Sequence, residues 1–154
     1  IANLGATIAN RGYYITPHIV KEVQGGGLDS LYTTPKYTMV EKQHYESVIE
    51  GMREAVLNGT CVDANLPDIE VCGKTGTAQN KGKDHSAFMG FAPMHDPKIA
   101  VAVYVENGGY GAVYGVPIGA LIMEQYLTGG LTEESMEKAN KIQKRTIYYG
   151  NQER

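Results

Sequence analysis

Residues 71–80 read VCGKTGTAQN, which sets Lys74 among glycines and threonines directly behind a short apolar run. A lysine in that company serves one of two chemistries. It can cradle a phosphate together with converging backbone amides, or it can stand on a strand edge and pair with a substrate carboxylate while nearby hydroxyls donate to it. The phosphate cradle needs a glycine five residues ahead of Gly73. Asp68 holds that position, with Pro67 before it, and a carboxylate there repels phosphate. The residues after Lys74 also read as a strand end and turn, not as the helix that such a loop opens.

The carboxylate-binding reading asks for a strand. Side chains alternate along a strand, so Lys74, Gly76 and Ala78 share one face and Thr75 and Thr77 the other. A twist or bulge at the glycines would bring Lys74 and Thr77 into one groove. The Thr77 backbone amide is then a candidate oxyanion donor. His85, in the KDH run just past the following turn, is either a residue of the groove rim or a solvated turn histidine, and Asp84 carries the same two readings.

The elements that must position these residues are legible from periodicity. Residues 1–11 end an amphipathic helix, with Ile1, Leu4 and Ile8 spaced on one face and Gly12 as its stop. The run YYITPHIVKEV (13–23) has the β-branched and aromatic content of a strand and is broken by QGGG. Residues 28–40 read as an extended arm or long turn. A helix is expected over 41–57, with Tyr45, Val48, Ile49, Met52 and Val56 on one face. Strands are expected over 69–78, HSAFMGFAP and KIAVAVYVEN, joined by short turns and therefore an antiparallel meander. Residues 113–127 form an apolar helix against that sheet. The glycines at 108, 109 and 111 either hinge the approach to the groove or turn the chain from strand to helix. The fold class is α+β.

The bulk numbers bound the rest. With 154 residues, 42% hydrophobic and 20% charged, the chain builds a packed core. A net charge of −3 gives no basic face, so no nucleic acid partner is expected. Four scattered histidines and two cysteines give no metal-ligand spacing, and no metal or cofactor is expected. Cys61 and Cys72 either pair as a disulfide in an oxidising compartment or remain free, Cys72 as a buried thiol. No run is long enough for a membrane span. Ile1 opens a helix already under way, so a piece of a longer chain is expected. Residues 1–130 read as one domain portion. Residues 131–154 read as a charged tail, helical or disordered.

Five blocks in order, ANRGYYITPHIV, VIEGMREAVLNGT, VCGKTGTAQN, KDHSAFMGFAP and IAVAVYVENGG, resemble the second half of the transpeptidase domain of class B penicillin-binding proteins. KDHSAFMGFAP and VYVENGG are most similar to the elongation-type penicillin-binding protein 2. The K-T-G signature belongs to that family, together with S-x-x-K and S-x-N. The resemblance implies the C-terminal half of a serine-acylating, β-lactamase-like fold. It implies a peptidoglycan D,D-transpeptidase that takes stem peptides and β-lactams through a serine acyl-enzyme. It implies the periplasmic face of the bacterial inner membrane, an upstream anchor and elongation-complex membrane partners. Lys74 and Thr77 are the catalytic candidates it implies, and Lys74, Thr75, Gly76, Thr77, Ala78 and His85 line the substrate wall.

Only Ser135-Met-Glu-Lys138 fits S-x-x-K, and it lies downstream of K-T-G, in the wrong order. No S-x-N occurs. The nucleophile-bearing half is therefore expected to be missing, the chain alone inactive, and its uncovered edge and apolar face prone to self-association. The alternative is a non-catalytic binding or scaffold domain that keeps a degenerate transpeptidase half.

Overall fold

A computed structural model describes residues 1–148. Its centre is a three-stranded antiparallel sheet in the order β3-β4-β5, formed by Cys72–Ala78, His85–Ala92 and Ile99–Val105. The meander expected from the short turns is present. Register is unbroken from Cys72 opposite Phe91 to Ala78 opposite His85, and from Ser86 opposite Val105 to Ala92 opposite Ile99. β3 begins three residues later than the apolar content predicts. Leu66 bridges Ile69 around Asp68, whose φ is +59°, and this tight turn consumes the start of the run.

Alternation along the strands sends two sets of side chains to opposite faces. Phe88 and Val101 join Val71, Val116, Ala120 and Met123 in one core cluster. Cys72 and Phe91 join Ala9, Tyr45, Ile49 and Met52 in the other. Two helices cover the second face: α1, Ala2–Ala9, and α2, Lys42–Leu57. α2 buries Tyr45, Ile49, Met52 and Val56, as its period requires, while Val48 at the edge of the stripe stays half exposed. Gly12 stops α1 with φ +109° and returns its N–H to the Thr7 carbonyl, a backbone conformation that glycine alone adopts at no steric cost.

Helix α3, Gly115–Thr128, covers the first face. The seating is set by one aromatic ring. Phe88 is fully buried, and four glycines make room for it. A Cβ at Gly73 would stand 2.6 Å from its Cε2, one at Gly90 2.6 Å from its Cζ, and one at Gly115 2.9 Å from its Cβ; one at Gly119 would overlap its Cδ1. Gly73, beside the lysine, is thus a packing glycine. It leaves room for the rim of that ring against β3.

The strand expected over 13–23 does not form. Only Tyr13–Tyr14 (β1) is strand, paired with Lys36–Tyr37 (β2). Pro17 removes a ladder donor. Ile19, Val20 and Val23 lie exposed on a surface arm with no partner strand, bridged only at Val23 and Gly26. After α3 comes helix α4, Glu133–Gln143, capped by the Thr132 hydroxyl, which accepts from the Ser135 N–H.

Candidate functional site

β3 is the edge of its sheet among the described residues, so one side of its backbone is unpaired. Alternation holds through the motif without a bulge: Lys74, Gly76 and Ala78 share the face of Met89, Ala87 and His85, while Thr75 and Thr77 share that of Phe88 and Ser86. Lys74 reaches the edge by another route than the bulge the sequence led us to expect. The Lys74 side chain wraps around the open edge. Its Nζ donates to the Thr75 carbonyl at 2.9 Å and to Thr75 Oγ1 at 3.4 Å.

Thr75 therefore turns its carbonyl to the edge. Its N–H lies against the buried Cys61 thiol, which burial raises above its ordinary value and which Thr60, that N–H and Lys74 pull back. Outward- and inward-facing residues alternate in an antiparallel ladder, so Thr77, two residues on, also presents its N–H to the edge. Thr60 closes the near end, with Oγ1 2.7 Å from Thr75 Oγ1. Lys74 and Thr77 are both exposed. Lys74 has no carboxylate within ion-pair distance among the described residues. The result is a cation, two hydroxyls and a backbone donor along one open rim, without a protein anion among them.

His85 occupies the end of β4 and works as a pin. Its Nδ1 accepts from the Asn107 N–H at 2.8 Å, its Nε2 lies 2.9 Å from the Asn80 side-chain amide, and its ring tilts against Tyr104 at 5.3 Å. It lies on the Lys74 face, not with Thr75 and Thr77. Asp84 contributes its backbone, whose carbonyl accepts from the Gly109 N–H at 2.7 Å.

These bonds answer the question of the 108–111 glycines. The loop between β5 and α3 is bolted down. Ser86 Oγ, fully buried, donates to the Tyr110 carbonyl at 2.9 Å and accepts from the Gly115 N–H at 3.0 Å. A Cβ at Gly111 would run into the Ala87 carbonyl, lie 2.8 Å from the Gly76 carbonyl and 3.0 Å from Thr75 Cβ. The loop thus lies directly on the back of the motif, too close for any larger residue. Sequence reasoning passed over Thr60 and Ser86. Ser86 carried a signal, as the polar residue at an otherwise apolar inward position of β4. Thr60 carried none.

The cysteines are free and lie in different core clusters, on opposite faces of the sheet. Of the two readings of this pair, the structure holds the free thiols. Burial, opposed by the Arg53 charge, pushes Cys72 up to about 11.

This sheet, with helices on both faces, is the α+β fold of D,D-transpeptidase domains. The penicillin-binding protein 2 of Pseudomonas aeruginosa, solved in complex with WCK 5153, matches it with a TM-score of 0.69 and 34% identity over 86% of this chain and 30% of that one. The penicillin-binding protein A of M. tuberculosis, solved as a ceftriaxone acyl-enzyme, matches with a TM-score of 0.69 and 29% identity over 82% of this chain and 31% of that one. The Mycobacterium tuberculosis peptidoglycan D,D-transpeptidase PbpA is 32% identical over 83% of this chain and 28% of its own length. Residues 1–124 match the penicillin binding protein transpeptidase domain, and the chain belongs to that family. It spans less than a third of the length of these relatives.

Proposed function

We propose that this chain supplies the lysine-threonine wall of a peptidoglycan D,D-transpeptidase, the enzyme that cross-links stem peptides through a serine acyl-enzyme. The observation that carries the reading is the Lys74 ammonium at the open rim, held only by the neutral oxygens of Thr75. A cation satisfied by neutral acceptors is free to take a carboxylate, here the terminal carboxylate of a donor peptide or of a β-lactam that imitates it. Thr75 and Thr77 hydroxyls add donors on that rim. The Thr77 N–H faces the position of a developing oxyanion. Gly76 and Ala78 keep the wall low enough for a substrate backbone to approach. His85 holds the far turn in place.

In this reading the attacking serine comes from protein beyond these 154 residues, since no S-x-x-K precedes the motif. The same protein would stand at the periplasmic face of the inner membrane beside other elongation proteins. Its anchor would lie in that further segment too; among the described residues no helix is long and apolar enough to cross a membrane. The division at residue 130, with 131–154 as a charged C-terminal segment whose residues 149–154 lie outside the described ones, belongs to the same proposal.

The test has two arms. This chain, incubated with a fluorescent penicillin, should take no covalent label, and a specific labelled band overturns the missing-nucleophile reading. The coding sequence upstream of Ile1 should hold S-x-x-K and then S-x-N. With them present, Lys74→Ala in the full-length protein should abolish labelling. Their absence, or undiminished labelling of that variant, rejects the transpeptidase wall in favour of a scaffold role.

A further inference from the structure

The stretch after α3 carries charges that the transpeptidase reading does not use, and two of its contacts return to the site. Helix α4 is fastened at its start. Glu124 of α3 is 3% exposed, and its Oε1 accepts from the Thr132 N–H at 2.9 Å. The Thr132 and Ser135 hydroxyls and Lys138 stand close enough to favour the charged carboxylate, whose Oε2 is buried with no hydrogen-bond partner among the described residues. From there the chain runs eleven residues of helix, about 16 Å at 1.5 Å per residue. That length carries it back along α3 toward that helix's own beginning.

There Arg145 closes the circuit. Its Nη1 donates to the Val113 carbonyl at 2.9 Å, and its Cζ lies 5.4 Å from the centre of the Tyr114 ring. Val113 and Tyr114 are the last residues of the loop that lies on the back of β3. Tyr114 is buried and caps α3. Val116 N–H bonds the Gly111 carbonyl at 3.0 Å, and Gly111 is the residue pressed against Gly76 and Thr75.

We propose that the segment from Thr132 to Arg145 is a brace, and that Arg145 is a positioning residue that holds the 106–114 loop, and through Gly111 the Lys74–Thr77 stretch, in place. Glu124 fixes one end of the brace and Arg145 the other, with α4 as the rigid strut between them. A planar guanidinium both reaches the carbonyl and lies on the ring, which a lysine ammonium does not do in the same way. The brace rests on geometry alone. Only its service to a substrate wall rests on the transpeptidase reading.

Amide hydrogen exchange of the 154-residue chain, resolved by residue, tests it. Arg145→Ala should speed exchange roughly three- to tenfold at Gly115 and Val116 and at Gly76, whose N–H is turned to β4, the loss expected of one exposed charge-assisted hydrogen bond and one cation–π contact. α4 itself should stay protected, because Glu124 still holds its start. Arg145→Lys should restore part of the protection, since a charged donor to the Val113 carbonyl remains. Glu124→Gln should release α4 as well as the loop. A change confined to residues 132–148, a uniform rise across all amides, or no change overturns the proposal. Loss of penicillin labelling in the full-length protein leaves these exchange outcomes untouched, so the two failures are distinguishable.

Discussion

Replacing Gly119 by alanine sets two effects of opposite sign against each other. In a solvent-facing helix alanine is favoured over glycine by about 1 kcal/mol. At this position the new Cβ would overlap Phe88 Cδ1 and stand 2.5 Å from Cε1, where ordinary contact is 3.4–4 Å. The ring would have to withdraw by about 1 Å, and overpacking of that kind costs about 1–3 kcal/mol. Retreat is blocked on the other side, because the far rim already faces the backbone of Gly73 and Gly90 at distances that leave no room for a Cβ. With the ring held on both sides the steric cost falls in the upper part of that range, about 2–3 kcal/mol, which leaves a net destabilisation of about 1–2 kcal/mol. For a chain of this length that lowers Tm by roughly 2–8 °C.

Urea denaturation followed by circular dichroism reads this directly as a lower midpoint at unchanged slope. Phe88 lies opposite Thr75 in the register, so displacement of the ring should also shift the Thr75 and Thr77 amide resonances. The control is the pair Phe88→Leu and Gly119→Ala. Leucine lacks the ring edge that the alanine strikes, so the double variant should be more stable than the sum of the single changes by at least about 0.5 kcal/mol. A Gly119→Ala variant as stable as the parent or more so, or strictly additive single changes, refutes the glycine-cage account of how α3 seats on the sheet.

Glu124 gives a pH prediction. Burial opposes its charge, but the Thr132 N–H bond and the nearby Ser135 and Thr132 hydroxyls, with Lys138 close by, outweigh that, so its carboxyl sits below its ordinary value in the folded chain. A depressed folded value contributes stability that is present above the unfolded value and lost as pH falls through the folded one. Glu124→Gln should thus be less stable than the parent at neutral pH, by about 1–3 kcal/mol. The difference should shrink on acidification, and a gap independent of pH down to the acid limb would contradict it. Both thiols are buried and raised. They should resist a disulfide-exchange reagent until urea unfolds the chain, and the intact mass should be the same with and without reductant; a two-dalton difference would show a disulfide. The surface arm exposes Ile19, Val20, Val23, Tyr37, Met39 and Val40, and β3 leaves its edge open. Sedimentation equilibrium should therefore show a mass that rises with concentration, and a constant monomer mass across the range would exclude self-association.

What the sequence disclosed, and what it withheld, follows from the range of the interactions involved. The β3–β4–β5 meander and α2 are written in local periods, and a strict two- or 3.6-residue alternation needs no knowledge of the rest of the chain. The run 13–23 has strand content but no partner, and pairing is a property of two segments, so its propensity alone misled. The motif shows the same division. Its alternation was legible, which placed Lys74 and Thr77 on opposite faces, and a bulge was the device expected to reunite them. The structure uses the four-carbon reach of lysine around an open edge instead, and which edge is open depends on the order of strands. Gly73 beside Lys74 invites an anion-binding explanation when read in line. Its reason lies fifteen positions away, in the ring of Phe88. Glu124 was the one readable clue to the docking of α4: a single carboxylate in an otherwise apolar helix needs a donor, and the N–H at the Thr-x-x-Ser helix start eight residues on supplies one. A buried charge in an apolar helix is thus a statement about another segment, just as the close approach of Gly111 to Gly76 and Thr75 joins stretches remote in sequence.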